Sequence, residues 1–287
     1  MRLLFVHGRG QGSSNGDDLK KTWTEALENG CDKAFTELPK SLDIQVAYYG
    51  KILDEATESV RGTARTRGPE DPFDSFEAGL LLEIADRAGI TEEEISAELA
   101  LDHQAVARGV QDSRWVQGAG RVLAKRFPFI SDEFIRQFFP DVHAYLLWKG
   151  VREKINQVVA TALGVGPTVV VGHSLGCVVA YWTLTEPRPS TDVPLMVTLG
   201  APLGLPSVKR HLPIPLAKPP GVRHWFNAAD VRDPIALFPR LDRDHFPGVE
   251  VENISDVRNP QDNRHGIGGY LSDSLVAKRI ADAVSQP

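Results

Sequence analysis

The chain has 287 residues, of which 42% are hydrophobic and 24% are charged. This composition is typical of a globular protein, and the length suffices for one large core that carries an insertion. The formal net charge of −6 gives no excess of basic residues that would attract a phosphate backbone. We therefore expect no nucleic acid as a partner.

The cysteine content and the apolar runs indicate where the protein acts. Cys31 and Cys177 are the two cysteines, and a chain of this size does not need the single disulfide that they could form. We therefore expect a reducing, cytoplasmic setting. The apolar run at residues 3–6 is too short for a signal peptide. No run reaches the roughly 18 residues of a membrane-spanning helix, so we predict no transmembrane segment.

Short apolar runs alternate with helical patterns in the first and last parts of the chain. This alternation predicts an α/β fold with a mostly parallel sheet flanked by helices. We predict about six strands, at residues 3–6, 44–49, 168–171, 195–199, 223–227 and 249–254. We predict helices at residues 22–38, 141–163 and 270–284, and one that begins at Leu175. Turn-forming residues at 60–72 predict a mobile loop, and the prolines at 203–221 predict a surface excursion.

Residues 51–140 interrupt this alternation, because helical patterns follow one another there without a convincing strand. Helices are predicted at residues 73–88, 91–110 and 132–139. Thr91 and Glu94 have the spacing of a capping box, which supports a helix start at that point. We therefore divide the chain into a core of residues 1–50 and 141–287 and a helical cap of residues 51–140.

A strand of β-branched residues runs into a Gly-x-Ser-x-Gly sequence formed by Gly172, Ser174 and Gly176. A helical pattern follows, and such a strand-turn-helix lifts the serine to the carboxyl edge of the sheet as a nucleophile. Side chains at the two glycines would collide with neighbouring strands. The amide of Leu175, at the positive end of the helix, is a candidate donor to an oxyanion. A tight turn without chemistry is the alternative, and the strand and helix around the motif disfavour it.

On these residues the chain resembles the α/β-hydrolase superfamily, and within it lipase-like and lipid-deacylase-like serine esterases. The resemblance covers about residues 1–50 and 141–287. It implies that the protein hydrolyses a carboxylic ester through an acyl-enzyme intermediate. Ser174 would be the nucleophile of a Ser-His-Asp triad, and such acyl transfer needs no cofactor.

In this family a strand that ends in His-Gly leads to a loop whose backbone completes the oxyanion hole. His7 and Gly8 match that pattern, so the resemblance assigns the main-chain amide of Arg9 to the hole, beside that of Leu175. A glycine turn without this role is the alternative. A phosphate-binding loop is disfavoured because no Gly-x-x-x-x-Gly-Lys-Ser/Thr pattern follows.

The family's chain order is serine, then acid, then histidine, and the histidine stands just before the terminal helix. His265 occupies that place, and the glycines that follow it would let its imidazole approach Ser174. His245, which precedes the last predicted strand, is the reserve candidate for the base. His173 lies inside the turn of residues 172–176, which we call the elbow, and we expect its side chain to point away from Ser174.

The family places the acid after the penultimate strand, and Asp230 and Asp233 compete there. Asp233 is followed by Pro234 and an aliphatic residue, as in the acid loop of lipases, and is the favoured candidate. Asp230 is the reserve, and its alternative role is to tighten the turn through bonds from its side chain to the backbone. A buried carboxylate on the second imidazole nitrogen would fix the tautomer and stabilise the imidazolium.

In such enzymes an insertion above the strand ends covers the site, so residues 51–140 would set the specificity. One set of its aromatic residues could line an apolar pocket or form the core of the cap itself. The set is Trp115, Phe127, Phe129, Phe134, Phe138 and Phe139. Gly200, Ala201 and Pro202 resemble a lipase element that shapes the pocket, with simple termination of a strand as the alternative.

The expected partner is a small-molecule or lipid-like acyl substrate. A metal-dependent hydrolase is disfavoured because the sequence has no His-Glu-x-x-His and no cysteine pair at zinc spacing. A serine peptidase or thioesterase that uses the same triad is the alternative activity. A non-catalytic binding module would be marked by loss of a triad residue, and all candidates are present. Nothing in the sequence specifies an oligomeric state.

Overall fold

The computed structural model describes residues 1–8, 15–67, 75–100, 113–186 and 192–286. Its centre is a sheet of six parallel strands in the order β2-β1-β3-β4-β5-β6. The strands are β1 Arg2–Val6, β2 Asp43–Ala47, β3 Thr168–His173, β4 Val193–Leu199, β5 Val222–Ala228 and β6 Glu252–Ile254. The predicted α/β class with a sheet of about six strands is confirmed.

Helices flank this sheet. They are α1 Gly16–Lys33, α2 Gly50–Arg67, α3 Ser75–Arg87, α4 Glu92–Ala100, α5 Ser113–Arg126, α6 Asp132–Leu147, α7 Lys149–Leu163, α8 Leu175–Thr185, α9 Pro206–Lys209, α10 Ile267–Leu271 and α11 Ser274–Val284. The strand side chains alternate between the two faces. Leu3 and Phe5 of β1 join one apolar cluster with α1, α10 and α11, whereas Leu4 and Val6 join a second cluster with α7 and α8.

The predicted helix at residues 141–163 is wrong as a single element. Pro140 lies inside α6, so the helix continues past the point where a proline usually ends one. The break comes at Trp148, whose φ of −99° and ψ of 97° are extended. Nη1 of Arg152 donates to the carbonyl oxygens of Tyr145 and Leu146, at 3.3 and 2.8 Å. This contact satisfies acceptors that the end of α6 leaves open.

The terminal helix is also divided, because the side chain of Asp273 accepts from the amides of Leu275 and Val276 and so starts α11. The predicted loop at 60–72 is wrong where α2 continues to Arg67, and residues 68–72 lie outside the described residues. The sequence did not predict α5.

The capping box at the start of α4 is confirmed, since Glu94 N donates to Thr91 Oγ1 at 3.2 Å and Thr91 N donates to Glu94 Oε2 at 2.8 Å. Of the helix predicted at 91–110, residues 101–110 lie outside the described residues.

Two further segments differ from the sequence prediction in how they pack. The proline-rich segment is not simply a surface excursion, because Leu203, Leu205, Val208 and Leu212 are buried. Apolar side chains between its prolines anchor it to the core. The helices α2 to α6, which we call the helical segment, contact one another and also α7 and α9. The division into core and cap stays a prediction, and its boundary after residue 140 falls inside α6.

Candidate active site at the carboxyl edge of the sheet

Ser174 lies in the sharp turn between β3 and α8. Its φ of 55° and ψ of −128° form a left-handed conformation that costs a residue with a side chain about 1–3 kcal/mol. A Cβ on Gly176 would overlap the carbonyl oxygen of Val6 in the neighbouring strand, and one on Gly172 would lie 2.9 Å from Cα of Cys177. The collision predicted at both glycines thus involves a neighbouring strand only at Gly176. Gly172 faces the backbone of α8 instead.

Three of the predicted site residues form one hydrogen-bonded chain. Oγ of Ser174 lies 2.8 Å from Nε2 of His265, and Nδ1 of His265 lies 2.7 Å from Oδ2 of Asp233. All three residues are buried, with exposed fractions of 2%, 6% and 1%. An ionised carboxylate can only accept hydrogen bonds, so Nδ1 carries the imidazole proton. Nε2 is thereby left as the acceptor for the serine hydroxyl.

The carboxylate of Asp233 is held from three sides. Besides His265, the hydroxyl of Tyr270 donates to Oδ2 at 2.8 Å, and the amide of Ile235 donates to Oδ1 at 2.9 Å. The same Tyr270 hydroxyl accepts from the amide of Asp230 at 3.1 Å. Both oxygens of Asp233 are therefore fixed, and the imidazole meets a carboxylate whose orientation is set by the surrounding chain.

Asp230 faces another set of partners. Its carboxylate accepts from the backbone amide and the guanidinium of Arg232 and from the amide of Asn259. Burial by itself would raise the pKa of Asp230, but the hydrogen bonds from Arg232 and Asn259 outweigh burial and hold the pKa below its ordinary value. The Asp230 carboxylate thus links the loop that carries Asp230 and Asp233 to Asn259, in the segment before His265. The bond from the amide of Arg232 agrees with the alternative role of Asp230, which is to tighten this turn.

His245, the reserve candidate for the base, and His173 have other partners. His245 pairs through Nδ1 with Oδ1 of Asp242 at 2.7 Å, and its side chain is 40% exposed. Nε2 of His173 lies 2.8 Å from the carbonyl oxygen of His265. His173 and Tyr270 are residues whose contacts sequence reasoning missed. The period of two in β3 places His173 on the same face as Val171, toward α1 and α10, and that signal could have indicated a contact with the His265 segment.

The end of β1 lies directly against the elbow. A Cβ on Gly8 would lie 2.6 Å from Cβ of Ser174, so only glycine fits at this position. Nε2 of His7 accepts from the amide of Tyr49 at 3.1 Å, and Nδ1 of His7 donates to the carbonyl oxygen of Gly8 at 2.6 Å. His7 therefore supports the backbone of the turn. Arg9 lies outside the described residues.

Leu175 is the first residue of α8. The first amides of a helix have no acceptor within it, so the Leu175 amide is available to an anion beside Ser174. Gly200, with φ of 57°, closes the other side of the site. A Cβ there would lie 3.1 Å from Oδ2 of Asp233 and 3.3 Å from Cε1 of His265. Ala201 and Pro202 follow, and Pro202 starts a short 3-10 turn at Pro202–Gly204.

The helical segment reaches this site through α6. The ring of Phe134 stands edge to face with the imidazole of His265, with centroids 6.2 Å apart, and Phe138 stacks on Phe134 at 5.1 Å. The six aromatic residues from Trp115 to Phe139 that could line a pocket all belong to, or pack against, one apolar cluster. That packing fits the core alternative, and Phe134 adds a contact with the site.

Within the described ranges, no three residues among His, Cys, Asp and Glu are placed to hold a metal ion. In that same part of the chain, no helix combines the length and the apolar character needed to cross a bilayer. Cys31 and Cys177 are free and buried, and burial raises the pKa of Cys31 to about 11. Comparisons with models of protein families, with curated proteins and with solved structures gave no match to this chain.

Proposed function

We propose that this protein is a serine hydrolase of the α/β-hydrolase type that cleaves a carboxylic ester through an acyl-enzyme intermediate. The observation that carries the proposal is the buried chain from Ser174 Oγ through the imidazole of His265 to Asp233 Oδ2, with contacts of 2.8 and 2.7 Å. A serine hydroxyl becomes a nucleophile when a base within hydrogen-bond reach can take its proton and a third group orients that base.

In the first step Oγ of Ser174 attacks the ester carbonyl carbon while Nε2 of His265 takes the hydroxyl proton. The carboxylate of Asp233 stabilises the imidazolium that results. The oxyanion of the tetrahedral intermediate accepts from the amide of Leu175 at the positive end of α8. The resemblance assigns a second donor to the amide of Arg9.

The intermediate collapses when His265 returns the proton to the alkoxide oxygen, so that the alcohol leaves and an ester of Ser174 remains. Water then attacks this acyl group, with His265 accepting one of its protons. Collapse of the second tetrahedral intermediate releases the carboxylic acid and returns the proton to Ser174. Each step uses the same imidazole, which is why its position between Oγ and Oδ2 governs the rate.

The surroundings of His265 support an acyl group with apolar character. Phe134 contacts the imidazole, and Phe138 stacks behind it. An acyl chain bonded to Ser174 would share this side of the site with the two rings and remove apolar surface from water. We therefore assign a small-molecule or lipid-like ester as the substrate class, with the helical segment acting as the cap over the site.

A fluorophosphonate probe tests the nucleophile directly, because it reacts with a serine that a base has activated. We expect covalent labelling of the wild-type protein at Ser174 and none of Ser174→Ala, measured by intact-protein mass spectrometry. Ser207→Ala is the matched control, since Ser207 is also buried and lies in α9. An unlabelled wild-type protein, or equal labelling of Ser174→Ala, would contradict the proposal.

A substrate panel then tests the reaction class. It contains p-nitrophenyl esters of rising chain length, a thioester and an aminoacyl amide, each assayed with the wild type and Ser174→Ala. We expect the esters to give the highest kcat/KM. A clear preference for the thioester or for the amide would instead indicate the thioesterase or the peptidase that shares this chemistry.

A further inference from the structure

His173, the residue before Ser174, is hydrogen-bonded to the backbone of His265, the residue proposed as the base. Its Nε2 lies 2.8 Å from the carbonyl oxygen of His265. A carbonyl oxygen can only accept, so Nε2 of His173 carries a proton and donates it. The two imidazoles also pack against one another, with centroids 4.8 Å apart and planes tilted by 36°. The elbow thus contacts His265 twice, through Ser174 and through His173.

The segment around His265 needs such a contact. Gly266, Gly268 and Gly269 follow His265 within four positions, and glycine gives the backbone the widest choice of conformations. The helix α10 begins at Ile267, so the carbonyl of His265 lies ahead of the helical hydrogen bonds. Nδ2 of Asn259 donates to the preceding carbonyl, that of Arg264, at 2.6 Å. The hydrogen bond from His173 fixes the next carbonyl along the chain, that of His265.

The environment of His173 keeps it neutral. The residue is 7% exposed, and the rings of Trp23 and Tyr270 lie 6.1 and 6.0 Å from its own. Burial lowers the pKa of His173 well below its ordinary value, and a positive charge on His265 or His7 acts in the same direction. A neutral ring donates a hydrogen bond without adding a positive charge that would oppose the imidazolium on His265.

We propose that His173 is a positioning residue whose bond to the His265 carbonyl holds the imidazole of His265 between Ser174 Oγ and Asp233 Oδ2. The inference rests on the proposed hydrolase activity. The physical reason is geometric, since both contacts of the imidazole are near their best hydrogen-bond length. A displacement of about 1 Å at a reacting group can cost roughly 100-fold in rate.

The test compares His173→Gln with His173→Leu. The Gln amide can place a donor where Nε2 of His173 lies, whereas Leu fills space without a donor. For His173→Leu we expect kcat on p-nitrophenyl acetate to fall by about 10- to 100-fold, with KM nearly unchanged. We expect His173→Gln to recover most of the loss. Variants of His224 with the same substitutions are the control, because His224 is exposed in β5.

The pH profile separates positioning from simple stability. In His173→Leu the imidazole of His265 meets Asp233 less well, so the carboxylate stabilises the imidazolium less. The acid limb of kcat/KM should therefore move to lower pH, and His173→Gln should restore it. A change in melting temperature alone would not move this limb. If His173→Leu does not fold, His173→Asn replaces it, because its shorter amide does not reach the carbonyl.

A second readout needs no substrate. The proton on Nδ1 of His265, bonded to Asp233, gives a downfield NMR resonance that we expect in the wild type and His173→Gln and not in His173→Leu. Folded His173→Leu with wild-type kcat, His173→Gln as slow as His173→Leu, or an unchanged resonance would overturn the inference. If the wild type is neither labelled nor active, the hydrolase proposal fails by itself and the NMR comparison alone decides the role of His173.

Discussion

Two regions of the molecule meet at His265, and different forces hold them there. At the carboxyl edge of the sheet, hydrogen bonds of 2.8 and 2.7 Å join His265 to Ser174 and Asp233. The helical segment meets the same imidazole through the ring of Phe134, at a centroid distance of 6.2 Å. Hydrogen bonds weaken steeply when their geometry changes, whereas apolar contacts tolerate exchanges of similar volume. Changes at the sheet edge should therefore reduce the rate, and changes in the helices should alter the choice of substrate.

The internal packing of the helical segment shows the same contrast. Helices α4 and α5 meet where a Cβ on Gly118 would lie 3.0 Å from Cγ of Leu99, so apolar side chains are in close contact there. Around that contact, Glu98 pairs with Arg121 at 3.2 Å and also with Lys125. Such ion pairs with exposed partners contribute about 0–1 kcal/mol each. Apolar packing thus stabilises this region, while directional polar bonds define the sheet edge.

The largest effect is expected from His265→Ala. Loss of the proposed base should lower kcat for a p-nitrophenyl ester by roughly 10⁴- to 10⁶-fold, as removal of a triad member does elsewhere. His245→Ala is the matched control, and we expect it to change kcat by less than about twofold. Steady-state kinetics of both variants check the prediction. Retained activity in His265→Ala together with loss in His245→Ala would assign the base to His245.

The next largest effect is expected from Asp233→Asn. An amide in place of the carboxylate can donate to Nδ1 and so favours the wrong tautomer of His265, which should lower kcat by about 10⁴-fold. The fold should persist, because Asn keeps the shape of the side chain. Kinetics and circular dichroism of the purified variant check both expectations. An Asp233→Asn protein with wild-type kcat would exclude Asp233 as the acid.

Asp230→Asn should act on stability more than on the rate. Asp230 is fully buried and accepts charge-assisted bonds from Arg232, so its loss should cost about 1–3 kcal/mol in the free energy of unfolding near pH 7. The pKa of Asp230 lies below its ordinary value in the folded state. Its contribution is therefore complete above the unfolded pKa of about 4 and is lost as the pH falls through the folded pKa.

Urea unfolding of the wild type and Asp230→Asn at several pH values checks this linkage. The difference in unfolding free energy should begin to shrink below about pH 4, where the carboxyl of the unfolded chain takes up a proton, and it should be lost as the pH falls through the lower pKa of folded Asp230. An equal difference at every pH would show that the carboxylate charge of Asp230 does not contribute. A loss of kcat as large as that of Asp233→Asn would instead reopen the choice between the two aspartates.

Most of the sheet could be predicted from the sequence because each parallel strand is buried on both faces and reads as a short apolar run. In β3 every residue from Thr168 to His173 is buried. The chain order of Ser174, Asp233 and His265 also gave candidates that the structure brings together. Their patterns are local, since a glycine turn, an Asp-Pro step and a glycine-flanked histidine can each be recognised within a few residues.

Other features have no local pattern. The bond from His173 to the His265 carbonyl joins residues 92 positions apart, and its acceptor is a backbone group that every residue carries. The separate helices predicted at 132–139 and 141–163 would meet at Pro140, where α6 continues, and at the break after Leu147 the side chain of Arg152 from the next helix donates to the carbonyl of Leu146. These arrangements follow from tertiary contacts that override local preference.

The smallest effect is expected from Phe134, and it tests the helical half of the comparison. Phe134→Ala removes an apolar ring beside His265 without touching a hydrogen bond of the site. Without this partly buried ring, a long acyl chain should gain about 1 kcal/mol less when it moves from water into the site. This difference corresponds to roughly a fivefold loss in kcat/KM. Acetyl esters, which have little surface to bury, should be hydrolysed at nearly the wild-type rate.

Phe134→Leu is the control for volume and should retain most of the preference for long chains. If Phe134→Ala instead lowers kcat equally for short and long esters, the ring acts by orienting His265. The helical segment would then belong to the same rigid network as the sheet edge.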